Sequence, residues 1–275
     1  MSYDSNQPNK PFSMKTVTSL SGGKSSAYIA ANYPTDLYVF ALVLINEVKA
    51  APKDKALIKE ASERLGKDFI ATAEDDVIIS TMLDLEQFLG KPIEWVSGKP
   101  FDELRKNSLP NINWRHCTEL MKIKPLFDWW KSRFNGEPVT MNIGFRQGEE
   151  RRAANMLAKC NKDGLRAYNG TYWQKPAFPM IENGIRKSEV VEYWKKKPVR
   201  FAERNNCVHC FHRNPLVLRK MWDIHPAKMD WAAEMEERKG AQWKKEISYA
   251  DIKKHKPQHE IDFEDFPCDS GACGL

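Results

Sequence analysis

The sequence predicts an α/β protein built around a mainly parallel sheet. Three observations lead there. From residue 14 to about residue 190, β-branched or wholly apolar runs alternate with stretches of helical spacing. A glycine-rich turn, Ser19 to Ser26, separates the first such run from the first helix. Leu37 to Ile45 is continuously apolar, as expected of a strand covered on both faces.

Lys15-Thr16-Val17-Thr18 reads as the first strand, and Ala27 to Ala31 as the first turns of a helix. After the Leu37–Ile45 run, residues 54–65 carry Ala56, Leu57, Ala61 and Leu65 at helical spacing. Residues 68–73 predict a strand, 78–89 a helix and 93–96 a short strand. Residues 120–134 predict an amphipathic helix broken early by Pro125. A strand at 139–145 and a helix at 149–160 follow. From Ser188 the pattern turns helical, with helices at 188–194, 216–224 and 227–238, the last two parted at Pro226. The chain therefore divides into an N-terminal segment (1–13), an α/β domain (14–190), a helical extension (191–255) and an acidic, proline-containing tail (256–275). In open sheets of this kind ligands bind beyond the carboxyl ends of the strands. The tips to inspect are thus Ser21–Ser26, Asn46-Glu47 and Arg146 to Arg152.

A chain of 275 residues can bury a full core. It has no run of about 18 apolar residues to cross a bilayer. Residues 1–13 are polar and lack the apolar stretch of a signal peptide, so a cytoplasmic protein without a membrane partner is expected. In that compartment six cysteines point first to metal, cluster or redox chemistry. The net charge of +6 mildly favours a polyanionic partner, although solvated lysine-rich helices such as Trp194-Lys195-Lys196-Lys197 account for it more simply.

The strand–turn–helix at Ser21-Gly22-Gly23-Lys24-Ser25-Ser26 has the chemistry of an anion cradle. Glycines let the main chain approach a phosphate, helix N–H groups point at it, Lys24 adds a charge and the serines add hydroxyl donors. The spacing is too short for a Walker A loop. Arg146, at a strand tip, suits bidentate phosphate binding, with an ion pair to Glu149 or Glu150 as its structural alternative. Cys207-Val208-His209-Cys210 places two thiols where one metal site can use both, and Cys117 is the natural third. Three thiolates suit a four-iron four-sulfur cluster with one open iron, or a zinc completed by His209 or His212; the pair also fits a redox dithiol or core packing. Arg115, His116, Lys122 and Lys124 predict electropositive surroundings that stabilise a Cys117 thiolate. Cys268 and Cys273, on the tail, are candidates for a delivered thiol, an extra cluster ligand or an idle oxidisable pair; Cys160 has no assigned role.

Four segments in order resemble one family. Ser21 to Ser26 is similar to the pyrophosphate loop of the PP-loop ATP pyrophosphatases, with Ser25 where the commoner form has Asp. Arg115-His116-Cys117-Thr118 with Lys122-Ile123-Lys124-Pro125, Gly144-Phe145-Arg146 with its acidic and basic followers, and Cys207-x-x-Cys210 resemble segments of phosphoadenosine phosphosulfate (PAPS) reductase-like proteins. The resemblance implies an adenine nucleotide alpha hydrolase-like, Rossmann-like fold. It implies ATP or a PAPS-like nucleotide held by Ser21, Gly22, Gly23, Lys24, Ser25, Ser26 and Arg146, with Lys24 and Arg146 in catalytic roles and magnesium on the phosphates. Asn46-Glu47-Val48 departs from the asparagine-threonine-glycine strand end of many relatives. The terminal Ala272-Cys273-Gly274-Leu275 only partly echoes the reductases' nucleophile segment, so Cys273 carries over weakly.

The leading expectation is an enzyme that adenylates an acceptor with release of pyrophosphate. Sulfur transfer would follow with help from a cluster on Cys117, Cys207 and Cys210. Its partners would be an adenine nucleotide, a nucleoside or nucleic-acid acceptor, a sulfur or electron donor, and a second copy in a homodimer. Two rivals stand beside it: thiol-dependent reduction of PAPS with Cys273 as nucleophile, and a zinc-stabilised nucleotide or nucleic-acid binding module.

Overall fold

In the computed structural model, residues 14–204 and 207–255 are described. The central sheet has six strands: β1 (Thr16–Leu20), β2 (Leu37–Ala41), β5 (Ile93–Val96), β6 (Val139–Asn142), β7 (Arg166–Tyr168) and β8 (Thr171–Ala177). Their order is β5-β2-β1-β6-β8-β7, and every pairing is parallel except β7 with β8. A separate antiparallel pair joins β3 (Leu44–Ile45) to β4 (Ala71–Thr72). The protein is thus α/β with a mostly parallel sheet, an architecture compatible with a Rossmann-like fold.

The two-residue period of the strands sorts the core. Leu20, Tyr38 and Phe40 face helices α1 (Lys24–Asn32), α3 (Val77–Leu89) and α8 (Lys187–Lys195), where they meet Ile29, Ile78, Met82 and Trp194. Val17, Val39 and Ala41 face α5 (Lys124–Phe134) and α6 (Glu150–Leu157), packing with Trp130, Met141 and Trp173. A third core forms around Val43, Ile45, Phe101 and Met121, past the end of β2. It is closed by α9 (Pro215–Ile224), α10 (Pro226–Lys239) and α11 (Tyr249–Lys254), which supply Leu218, Trp231 and Tyr249. The C-terminal helices therefore cap the carboxyl edge of the sheet, while α8 belongs to the sheet's own core.

Several elements depart from the sequence expectation. The apolar run 37–45 is two strands: Leu42 N–H still bonds Val96, but the Val43 carbonyl accepts from Ala73 N–H (3.0 Å) and Thr72 Oγ1 (2.8 Å). There the chain peels off the sheet, and the strand expected at 68–73 shortens to the two residues that meet it. The β7–β8 hairpin was not expected. Asn169 and Gly170 both take positive φ (46° and 77°), the conformation that two-residue hairpins select. Pro125 sits in the first turn of α5 and does not break the helical run. That run begins with α4 (His116–Thr118) and continues through a π turn (Glu119–Ile123), just upstream of the point where Pro125 cannot donate. Among the described residues no helix is long and apolar enough to cross a membrane.

Candidate functional site

β1 delivers the chain to the glycine turn at the sheet's carboxyl end. Gly22 takes φ +75°, where a Cβ would run into the Ile78 side chain, and Gly23 is the N-cap of α1. Ser26 Oγ accepts from the Ser21 N–H (3.1 Å) and donates to the Gly23 carbonyl (3.1 Å), which closes the turn from inside. The first turn of α1 carries no acidic residue, so its amides keep their positive end. Trp194 Nε1 donates to the Lys24 carbonyl (2.9 Å), and Lys24 Nζ lies 6.0 Å from the Phe201 ring centre. From the neighbouring β6, Gly144 backs directly onto the turn; a Cβ there would stand 3.3 Å from Ser26 N. The six loop residues expected to hold phosphate are thus one compact turn.

Arg146 lies two residues beyond Gly144, 8% exposed. Its backbone N–H and Nε both donate to Glu149 Oε2 (3.1 and 3.0 Å), while Arg152 pairs with the other oxygen of Glu149 and covers the Phe145 ring. The structural alternative allowed by the sequence, an ion pair to Glu149, is formed. An anion reaching Arg146 meets a guanidinium already held in place.

The cysteines converge. Cys117, Cys207 and Cys210 line one cavity of about 50 Å³ with Val43, Phe101 and Phe211 as apolar walls. Arg115, Lys122 and His212 also line it. Cys117 comes from α4. The Cys-x-x-Cys turn is fixed by three bonds: Val208 N–H to the Ala73 carbonyl (2.8 Å), Cys210 N–H to the Cys207 carbonyl (3.0 Å), and Tyr249 OH to the His209 carbonyl (2.7 Å). Residues about ninety positions apart are brought together by a strand end and the last helix.

Burial governs their chemistry. It pushes the Cys117 thiol up from its ordinary value, against the opposing pull of Arg115 and Lys122. It pushes Cys207 up further, aided by the negative charge of Glu74. The expectation that basic neighbours stabilise a free Cys117 thiolate is therefore corrected: desolvation outweighs them. Lys124, expected among those neighbours, instead pairs with Asp128 and lines a different cavity. Of the two histidines, His212 lines the cysteine cavity, whereas the His209 ring is packed among Phe101, Trp231 and Trp243. Burial pushes His209 down to about 3, so it is neutral.

Sequence reading missed the carboxylate beneath this cavity. Glu74 is fully buried, accepts from Lys122 Nζ (3.1 Å) and the Val43 N–H (3.4 Å), and its carbonyl takes the ammonium of the buried Lys228. Lys228 also bonds Asp76 (2.7 Å), at the start of α3. Nothing in the local sequence marks Glu74, because its partners lie 48 and 154 residues away. Asn46 is exposed, its N–H bonded to Asp102 (2.7 Å). Cys160 is remote, its thiol donating to Met156. Cys268 and Cys273 lie outside the described residues.

Three thiols in one apolar cavity, ringed by cations, form a donor set suited to iron–sulfur ligation. Among the described residues no group of three or more His, Cys, Asp or Glu side chains stands close enough as placed to hold a metal ion, zinc and iron alike. No family model matches the chain, and no curated protein matches it.

Proposed function

We propose that the protein is a PP-loop enzyme that binds ATP, or a related adenylyl nucleotide, in the Ser21–Ser26 turn and activates an acceptor for sulfur transfer. The observation that carries this reading is the convergence of Cys117, Cys207 and Cys210 in one buried cavity at the same sheet edge as the turn. The amides of Gly22, Gly23 and Lys24, the Ser21 and Ser25 hydroxyls and the Lys24 ammonium hold the nucleotide's phosphates, with magnesium carried on them. Arg146, anchored by Glu149, neutralises charge on the side of β6. An oxygen of the acceptor attacks the α-phosphorus, the bond to the bridging oxygen breaks, and pyrophosphate leaves. A hydrosulfide then displaces AMP from the activated carbon: the carbon–sulfur bond forms as the carbon–oxygen bond to the phosphate breaks, and AMP leaves. A four-iron four-sulfur cluster on the three cysteines would supply an open iron for sulfur. The chain's own part is to exclude water with Val43, Phe101 and Phe211 and to offset thiolate charge with Arg115 and Lys122.

Anaerobic preparations tested for iron, sulfide and nucleotide binding decide the matter. Wild-type protein should carry about four irons, and Cys117→Ser, Cys207→Ser and Cys210→Ser should each lose most of them. ATP should give a calorimetric heat that Lys24→Ala abolishes. A metal-free wild type, or ATP heat unchanged in Lys24→Ala, refutes the reading.

A further inference from the structure

A large cavity lies away from the nucleotide turn. It has a volume of about 1080 Å³ and opens beyond the ends of β2 and β5, the first and second strands away from β1 and its Ser21–Ser26 turn. It shares a wall with the cysteine cavity: Pro100 and Leu120 face the large one, Phe101 and Met121 the small one. Its volume exceeds what one small ligand needs. Its rim carries Lys99 and Arg105, both exposed and without an ion pair among the described residues. Arg105 does have one contact, its guanidinium lying 4.4 Å from the centre of the Trp114 ring. Trp114 is 44% exposed and braced from beneath by the His116 ring, and the nearby Ile112 is 68% exposed.

We propose that this cavity and the Arg105–Trp114 stack on its rim are the docking site for a single strand of nucleic acid. The exposed Arg105–Trp114 stack offers an unstacked base a guanidinium plane and an indole to stack against, and Lys99 stands on the same rim to meet a neighbouring phosphate. Asp68 and Glu103 on the wall are acceptors matched to the amino groups of bases. A duplex, whose bases are already stacked, could use the cations but not the indole. What is done to the strand rests on the proposed function; the docking itself does not.

Fluorescence anisotropy with labelled 15-nucleotide single strands of RNA and DNA, the matching duplexes, and polyglutamate as competitor tests it. A single strand should bind more tightly than duplex. Trp114→Ala should weaken it about tenfold while Trp114→Phe keeps most of the affinity. Lys99→Ala and Arg105→Ala should each lower the salt dependence of binding by about 0.7 of a charge. Thermal melting equal to wild type confirms that these exposed-site variants are folded. Absence of single-strand binding, equal binding of duplex, equal competition by polyglutamate, or full affinity in Trp114→Ala overturns the proposal. ATP calorimetry on the same preparations separates the two ideas. Strand binding without ATP heat leaves the docking site standing and removes the nucleotide reading, and the opposite pattern does the reverse.

Discussion

Gly22→Ala isolates the demand that the nucleotide turn places on its backbone. The residue holds φ +75°, which costs an L-amino acid about 1–2 kcal/mol. Its added Cβ would stand 2.8 Å from Ile78 Cγ2 and 3.0 Å from Cγ1, well inside the usual ~3.5–4 Å carbon contact. Rotating the Ile78 side chain cannot clear both, because it is fully buried between α3 and the sheet. Overpacking of this kind adds about 1–3 kcal/mol. The sum, about 2–5 kcal/mol, should appear in urea unfolding as a midpoint lowered by about 1 M or more. Ile78→Ala removes the clashing atoms at its own cavity cost of about 2–5 kcal/mol. The double variant should therefore fall short of the summed single effects by about 1–3 kcal/mol, the steric share, leaving the backbone share behind. Gly22→Ala within about 0.5 kcal/mol of wild type, or strict additivity of the two, would show that the turn is not built as described.

Four further outcomes follow from the same geometry. Gly98→Ala would put a Cβ 2.4 Å from the Leu120 carbonyl, so the π turn must shift; urea unfolding should register a loss of about 1–3 kcal/mol. Glu74→Ala leaves Lys122 beside the cysteines without its buried carboxylate, and should cost about 3–5 kcal/mol in the same assay, with Glu74→Gln intermediate. Burial raises Glu236 even though it accepts from Trp243 N–H (3.0 Å) and Tyr249 N–H (2.7 Å). The folded state then binds more protons than the unfolded one above the usual carboxylate range, and stability falls as pH rises through the raised value. Glu236→Gln should flatten that part of the stability profile and match wild type near pH 4, which melting between pH 4 and 8 will show. In metal-free protein, alkylation of Cys117 and Cys207 followed by mass spectrometry should accelerate only above the ordinary thiol range, because both thiols are raised by burial; fast reaction near pH 7 would contradict it.

The parallel sheet was legible because its signals are local. The β-branched Thr16-Val17-Thr18, the apolar 37–45 run and the helical spacing of residues 54–65 each imply burial on a stated face without reference to distant chain. The Asn169-Gly170 turn was equally local, and its positive-φ pair could have announced the β7–β8 hairpin. The break at Leu42–Val43 was not legible. An apolar run looks the same whether it continues in one sheet or leaves it, and the hydrogen bonds that redirect Val43 come from Thr72 and Ala73. The candidate site divides in the same way. The glycine turn and the Cys-x-x-Cys announce themselves by spacing, whereas Glu74, Lys228 and the rim of the large cavity become a site only through contacts across the chain.

The burial of the thiols bears directly on which chemistry the cavity suits. A dithiol that exchanges electrons or a nucleophile that attacks a phosphosulfate needs a thiolate near neutral pH, and so an exposed, electropositive position. Cys117 and Cys207 have the positive neighbours, yet they sit where desolvation prevails and their protons are held more firmly than usual. A bound metal reverses that balance, because its charge replaces the protons outright and the nearby cations Arg115 and Lys122 then offset the thiolates. Apolar walls that hinder a free thiol instead protect a cluster from water. On the proposed reading, the same two cations that fail to ionise the cysteines in the metal-free protein would help to hold them ionised with a metal bound. Proton release on metal uptake measures this reversal: close to one proton per coordinating cysteine at pH 7 is expected, and uptake without proton release would mean that the thiols were already ionised and that burial does not govern this cavity.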